Sequence, residues 1–186
     1  MIRNSSVLIC CLLFGGLSAC TTPHSTGKNS SRSSKEYQPS YSDSGALYGS
    51  RAVLLGRKAV APPDAPPVVH QMIAAGNEIQ GRPYRRGGGH LYVNDSCYDC
   101  SGAVSFVLGK AGLLATPEPS KALRNYGAPG PGRWVTVYAK GDHSFIEVAG
   151  LRYDTSDGHG ARGSGPLWRD QSRSYNGFEA RHPEGL

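Results

Sequence analysis

The sequence contains little cysteine. Only five of its 186 residues are cysteine, and Cys10, Cys11 and Cys20 lie in a leader-like N-terminal segment, which leaves Cys97 and Cys100 for the folded part. Two cysteines do not make a disulfide framework. A zinc site would need two further ligands, and the sequence has no second cysteine pair to supply them.

Other absent features exclude further classes of protein. The sequence around Cys97 and Cys100 does not predict a βαβ unit, so the pair does not fit a thioredoxin-like redox motif. A disulfide between the two cysteines in an oxidising compartment stays an open hypothesis.

The net charge is +6, but residues 1–65 carry seven Lys and Arg against three Asp and Glu, and residues 66–186 carry thirteen against eleven. Because the folded part has no basic helix, nucleic acid is not an expected partner. No internal repeat is visible, and we expect a monomer.

No hydrophobic run is long enough to span a bilayer. The longest, Val7 to Leu17, follows Arg3 and is typical of a signal peptide. The small residues before Cys20 resemble a bacterial lipobox, which implies cleavage after residue 19 and a lipid on Cys20. A plain secretory signal is the alternative. The lipoprotein interpretation predicts a lipid-anchored protein of the cell envelope. Because Thr21 is not aspartate, it favours the outer membrane, facing the periplasm, in a cell with two membranes.

The segment that follows the leader has almost no aliphatic side chains. Thr21 to about Ser50 is rich in Ser, Thr, Lys and Gly, and cannot bury enough apolar surface to offset its chain entropy. A proline cluster stiffens the chain from Ala61 to Pro67. We therefore expect a signal peptide over residues 1–19, a flexible tether over residues 20–65 and one domain over residues 66–186. The sequence leaves open whether residues 51–60 pack on the domain.

The folded part begins with helical periodicity and ends with strand periodicity. Apolar residues recur at a helical period from Val68 to Ile79, and Ser101 to Leu114 is apolar on most sides, as in a buried helix. Ala115 to Gly132 reads as a Gly/Pro-rich loop. The period then changes to two, which predicts four strands: Trp134–Tyr138, Ser144–Ala149, Leu151–Asp154 and Phe178–Arg181. Helices followed by strands predict an α+β fold with an antiparallel sheet.

The stretch Tyr98-Asp99-Cys100-Ser101-Gly102 places a cysteine on the first turn of the second helix. Peptide dipoles and backbone N–H groups there favour a thiolate and offer a site for an oxyanion. His143 lies at the start of a strand further along. A cysteine and a distant histidine that meet only after folding indicate covalent catalysis. Taken singly, each also has an ordinary structural explanation, as a buried cysteine or a packed histidine.

Several motifs in order resemble the NlpC-type family of bacterial cell-wall cysteine peptidases. They are Gly81-Arg82-Pro83-Tyr84 with Gly87-Gly88, then Asp99-Cys100-Ser101-Gly102, then His143 before a hydrophobic strand. The resemblance covers essentially the whole folded part, although Pro129-Gly130-Pro131-Gly132-Arg133 replaces the family's usual Pro-Gly-Asp. It implies a papain-like fold, in which a central helix carrying the nucleophile packs on an antiparallel sheet.

The same resemblance implies roles for individual residues. Cys100 would be the nucleophile and His143 the general base. Tyr84, Asp99 and Ser101 would line the substrate site, where Tyr84 would bond near the reacting centre and the other two would hold polar groups that include a free amine. The third catalytic residue would be Asp154, which would fix the imidazole tautomer, with His182 as the alternative.

The activity that the resemblance implies is that of a membrane-tethered thiol protease. It would hydrolyse an amide bond in peptidoglycan stem peptides, the γ-D-glutamyl–diamino acid linkage, without a metal or an organic cofactor. Its partners would be the stem peptides and, through Cys20, the membrane. Two alternatives remain: a peptidoglycan-binding module that has lost turnover, and an amidase or acyltransferase on the same fold.

Overall fold

The computed structural model describes residues 51–91, 94–156, 162–170 and 173–186. The chain divides into two units, Met1–Pro39 and Ser40–Leu186, and every described residue belongs to the second unit. The expected signal peptide, the expected lipidation site Cys20 and most of the expected tether lie outside the described residues. Within the described ranges, no helix has the length and apolar character that a membrane crossing needs.

The described residues form three helices and eight strands. The helices are α1 (Pro67–Ile79), α2 (Cys100–Lys110) and α3 (Ser120–Leu123). The strands are β1 (Val53–Leu55), β2 (Lys58–Val60), β3 (Ala128–Pro129), β4 (Val135–Ala139), β5 (Ser144–Val148), β6 (Leu151–Ser156), β7 (Arg162–Arg169) and β8 (Glu179–His182). Strands β1 and β2 pair as a hairpin, and the other six form one antiparallel sheet in the order β3-β8-β4-β5-β6-β7. The fold is therefore α+β with an antiparallel sheet, as the sequence predicts.

Helix α1 begins at a proline, which is favoured there because the first helical N–H has no partner to lose. One face of the helix is buried, and Gly76 on that face lies against the Trp168 ring, where any Cβ would overlap it. The Tyr153 hydroxyl donates to the Gly76 carbonyl at 2.9 Å. These contacts seat α1 on strands β6 and β7.

Helix α2 is buried on all sides over its first nine residues. It packs against α1 and against strands β5 and β6, so it is the central helix of the domain. It ends at Lys110, before the predicted end at Leu114, because Gly112 turns the chain into the left-handed region with φ +71°.

The four predicted strands are all present, with ends that differ by one or two residues. The sequence pattern predicts no strand at β7, because two glycines and a proline interrupt it. Gly165 has φ +73°, and a side chain there would overlap the Arg82 carbonyl oxygen, so the position requires glycine. The loop predicted from Ala115 to Gly132 likewise contains α3 and β3.

The expected boundary between tether and domain at residue 66 is too late. Ala52, Ala59 and Ala65 are buried in the same core as α1 and α2. The Asn77 side chain on α1 accepts from the Ala59 N–H at 3.0 Å and donates to the Ala59 carbonyl at 2.8 Å. The β1–β2 hairpin is therefore part of the folded domain, because an amide side chain and small apolar residues fix it to α1.

Candidate active site

Cys100 is the first residue of α2, and Asp99 is the N-cap of that helix. The Asp99 backbone is extended, and its Oδ1 accepts a hydrogen bond from the Gly102 N–H at 2.8 Å. An aspartate is favoured here because its carboxylate satisfies an N–H that the helix itself leaves without a partner. The cap thus places the Cys100 thiol at the positive end of the helix dipole, where the sequence predicts it.

The sulfur of Cys100 is surrounded by hydrogen-bond donors. Its Sγ lies 3.5 Å from Ser120 Oγ, which in turn lies 3.1 Å from Ser144 Oγ. The His143 ring and the Ser144 backbone N–H also bond to the sulfur. Burial raises the pKa of the Cys100 thiol, but these donors outweigh burial and hold the pKa below its ordinary value. The environment therefore favours a thiolate.

His143 lies just before β5 and bridges Cys100 and Asp154. Its Nε2 lies 3.0 Å from Asp154 Oδ1, so Nε2–H donates to the carboxylate. The other ring nitrogen, Nδ1, is then the atom that bonds to Cys100. Burial alone lowers the pKa of His143, but the bonds to Asp154 and Cys100 raise it to about 9. Cys100 and His143 are therefore suited to the thiolate and imidazolium forms, respectively.

Asp154, rather than His182, contacts the imidazole. Asp154 is on β6, its side chain is fully buried, and it also accepts from the Ser156 N–H at 2.9 Å. Burial raises the pKa of Asp154, but the bonds from His143 and Ser156 hold it below its ordinary value. The Nδ1 of His182, on β8, lies 3.0 Å from the Gly130 carbonyl oxygen instead. Of the two candidates, Asp154 is therefore the residue that the structure places against the imidazole.

Arg173 adds a guanidinium to this group, which the sequence analysis did not predict. Its Nη1 donates to Asp154 Oδ2 at 2.6 Å and lies 3.1 Å from His143 Nε2. A guanidinium can only donate hydrogen bonds. The His143 Nε2 atom therefore accepts a bond from Arg173 only when Nε2 itself carries no proton. The guanidinium also lies over the rings of Phe145 and Phe178, at 4.9 and 5.2 Å from their centroids. Arg173 therefore holds the carboxylate that faces the imidazole.

Asp99 has several partners besides the helix. Its Oδ2 accepts from the Gly87 N–H at 2.7 Å, and its Oδ1 lies 3.1 Å from His90 Nε2 and 3.2 Å from Ser101 Oγ. The bond to Asp99 raises the pKa of His90 above its ordinary value. Asp99 therefore links Gly87-Gly88-Gly89, called the glycine loop below, to the start of α2, in addition to the role at the substrate that the resemblance implies.

One cavity of about 600 Å³ brings the predicted residues together. Five of them line it: Tyr84, Asp99, Cys100, Ser101 and His143. Tyr84 is held there by a parallel bridge between its backbone and that of Tyr98. The fully buried Asp154 side chain contacts the His143 ring without lining the cavity. The volume falls within the range of about 300–1,000 Å³ typical of small-ligand sites.

The cavity lining carries more positive than negative charge. Arg86, Lys121, Lys140 and Arg173 line it together with two carboxylates, and one of those, Asp142, lies 3.5 Å from Lys140 Nζ. The other, Asp99, bonds to His90. An excess of cations around a cleft attracts anionic ligands.

Two residues of the site could not be found from sequence patterns. Ser120 lies in a segment read as a loop, and Arg173 follows β7, which was not predicted. Ser120 has no local signal either, because Pro119 and not a serine is the N-cap of α3 and no side chain caps that helix. Arg173 has no such signal, because its partners come from strands distant in sequence.

A thiolate, a protonated imidazole and a carboxylate arranged in this way are suited to acyl transfer through a covalent intermediate. Cys97 and Cys100 are both free thiols. Among the described residues, no group of three or more His, Cys, Asp or Glu side chains is placed to hold a metal ion. No protein-family model matches this chain, and a search of curated proteins finds no match either.

Proposed function

We propose that this protein is a cysteine peptidase that hydrolyses an amide bond in peptidoglycan stem peptides. Its main support is the placement of Cys100 at a helix N-terminus in hydrogen-bond contact with His143, which is in turn bonded to buried Asp154. The resemblance of the Asp99-Cys100-Ser101-Gly102 and Gly81-Arg82-Pro83-Tyr84 motifs to NlpC-type enzymes supports the choice of substrate. The central position of α2 against an antiparallel sheet supports a papain-like fold.

The proposed reaction has two steps. The Cys100 thiolate attacks the amide carbon, and the resulting oxyanion is stabilised at the α2 N-terminus. The His143 imidazolium then gives its Nδ1 proton to the leaving amine, which leaves a thioester on Cys100. His143 next takes a proton from water, the hydroxide displaces the thiol as thiolate, and the free acid departs.

The charge of the cavity supports an anionic peptide substrate. An amide bond at the γ-carboxyl of D-glutamate leaves its α-carboxylate free, and a diamino acid with two carboxyl groups brings a further carboxylate. Arg86 and Lys121 line the same cavity as Cys100 and offer partners for these groups, as does Lys140, which also contacts Asp142. This charge balance favours the γ-D-glutamyl–diamino acid linkage over an uncharged substrate.

One digestion experiment tests the proposed activity. Purified sacculi are incubated with wild-type protein, with Cys100→Ala and with Cys97→Ser as the matched control, and the released fragments are weighed by mass spectrometry. We expect stem-peptide fragments from wild type and Cys97→Ser, and at least a thousandfold slower release with Cys100→Ala. Binding to sacculi without release by wild type would instead indicate a binding module, and changes confined to glycan or acyl groups would indicate an amidase or acyltransferase. If Cys97→Ser were inactive as well, the peptidase proposal would be wrong.

We further propose that the chain is anchored by a lipid on Cys20, through the lipobox-like residues Leu17-Ser18-Ala19. A multiply acylated cysteine binds membranes stably, because each buried methylene contributes about 0.8 kcal/mol. Cells grown with radiolabelled palmitate should label the wild-type protein and not Cys20→Ser. Equal labelling of the two proteins would contradict the anchor.

A further inference from the structure

A second cavity, of about 160 Å³, is lined by residues that the proposed peptidase does not use. It lies along strands β5, β6 and β7 and shares no lining residue with the active-site cavity. Its charged lining residues are three arginines, Arg51, Arg152 and Arg169, and two carboxylates, Glu147 and Asp170. The arginines outnumber the carboxylates, which favours an anionic ligand.

Arg152 is buried, with a side chain only 2% exposed. Among the described residues its Nε and Nη1 atoms, both buried, have no hydrogen-bond partner. The nearest carboxylate oxygen, Asp154 Oδ2, lies 3.9 Å from Nε and already accepts from Arg173 at 2.6 Å. Two buried N–H donors without acceptors are costly, and the 3.9 Å contact with Asp154 is too long to be a hydrogen bond.

Arg169 lies opposite Arg152 in the pairing of β6 with β7 and has a similar deficit. Its Nη2 donates to Ser164 Oγ at 2.7 Å, but its buried Nε has no partner among the described residues. Glu147 faces Arg152 on β5, yet its Oε1 accepts from the Tyr175 hydroxyl at 2.6 Å. Arg152 and Arg169 therefore both line this cavity, and each keeps a buried N–H donor that has no partner among the described residues.

We propose that this second cavity binds a small oxyanion, the phosphate or carboxylate group of a ligand, between Arg152 and Arg169. Such an anion would accept charge-assisted hydrogen bonds from the two guanidinium groups that line the cavity. The volume is well below the range of about 300–1,000 Å³ that larger ligands occupy, so the cavity takes a small anion or a terminal group. The inference is independent of the peptidase activity.

Thermal unfolding with added anions tests the site. The protein is heated in sodium phosphate, sodium acetate or sodium chloride at matched pH and ionic strength. We expect saturating phosphate to raise the midpoint by about 3 °C or more over chloride. Acetate should match phosphate if a carboxylate suffices, and should match chloride if the site requires phosphate. Arg133 is exposed and lines neither cavity, so phosphate should raise the midpoint of Arg133→Gln as much as that of wild type. The midpoint of Arg169→Gln should be the same in phosphate, acetate and chloride.

A second measurement does not depend on the stability of the variants. In protein labelled with ¹⁵N-arginine, phosphate should shift the Nε–Hε signals of Arg152 and Arg169 and leave that of Arg133 in place. A midpoint equal in phosphate, acetate and chloride, or a phosphate response that persists in Arg169→Gln, would overturn the proposal. Unshifted Arg152 and Arg169 signals would overturn it as well.

Discussion

At the scale of single residues, the site depends on opposed effects on the Cys100 sulfur. Burial disfavours the thiolate, whereas donors from Ser120, Ser144 and His143 favour it. The donors have the larger effect, so the pKa of the thiol is lowered. His143 is subject to the same opposition, and its bonds to Asp154 and Cys100 raise its pKa to about 9. Because each charge stabilises the other, a change that removes one partner also moves the pKa of its neighbour.

This coupling predicts how the alkylation of Cys100 depends on pH. The rate of reaction with iodoacetamide should rise through a pKa below that of an ordinary thiol, because only the thiolate reacts. In His143→Gln the same rise should move to higher pH, because the sulfur loses the hydrogen bond and the neighbouring positive charge that the imidazolium supplies. Hydrolysis by wild type should fall above about pH 9, where His143 loses the proton that the leaving amine needs.

Peptide mapping by mass spectrometry measures alkylation at Cys100 separately from the other cysteines. Ser120→Ala provides a matched comparison, since it removes one neutral donor and no charge. We expect it to shift the pH profile upward by less than His143→Gln does. Identical profiles in wild type and His143→Gln would show that the imidazole does not set the reactivity of Cys100.

Sequence patterns locate the residues whose neighbours are local. Asp99 and Cys100 follow from a helix cap. His143 lies just before β5 and Asp154 lies on β6, and because a tight turn joins these two strands, their meeting needs only the right register. Arg173 could not be predicted, because its contact with Asp154 depends on where the chain goes after β7. The unpartnered donors of Arg152 could not be predicted either, since a strand pattern does not reveal which polar group is left buried.

At the scale of elements, the start of α2 is held by backbone contact with the glycine loop. A Cβ on Gly102 would overlap the Gly88 carbonyl oxygen. The Gly88 carbonyl also accepts from the Asp99 N–H at 3.1 Å. Glycine at position 102 therefore lets the loop approach the helix closely enough to fix Asp99 beside Cys100.

Two glycines of α2 provide a matched pair of variants. Gly102→Ala should lower the free energy of unfolding by about 1–3 kcal/mol, because the methyl group has no room, and it should reduce activity by moving the loop. Gly109→Ala meets only ordinary contact, with Leu114 O at 3.6 Å, and should stabilise the protein by about 0.5–1 kcal/mol because alanine favours helix.

Urea unfolding of wild type and both variants measures these differences, and the sacculus digestion measures activity. A Gly102→Ala protein as stable and active as wild type would mean that the loop does not need its close approach to α2. A loss of stability in Gly109→Ala would mean that alanine is unfavourable in α2 for reasons unrelated to the loop.

At the scale of the whole molecule, the domain includes the β1–β2 hairpin, which the sequence analysis places with the tether. The hairpin has short apolar runs, but its larger side chains Val53, Leu55 and Val60 are exposed, and the residues it buries in the core are alanines. Their attachment comes from the Asn77 bonds to Ala59 and from the Ala52 N–H, which donates to the Ala149 carbonyl at 2.8 Å. Such specific contacts between distant segments are not visible in composition, which is why the expected boundary was wrong.

The hairpin should therefore contribute measurably to stability. A chain that begins at Pro66 should have a free energy of unfolding about 2–4 kcal/mol below that of a chain that begins at Arg51, because it loses three buried alanines and the bonds of Asn77. Asn77→Ala should cost about 1–2 kcal/mol in the longer chain and much less in the shorter one, where its partner is already missing. Urea unfolding of the four proteins gives both differences. Equal stability of the two wild-type chains, or an equal cost of Asn77→Ala in both, would place the hairpin outside the cooperative domain.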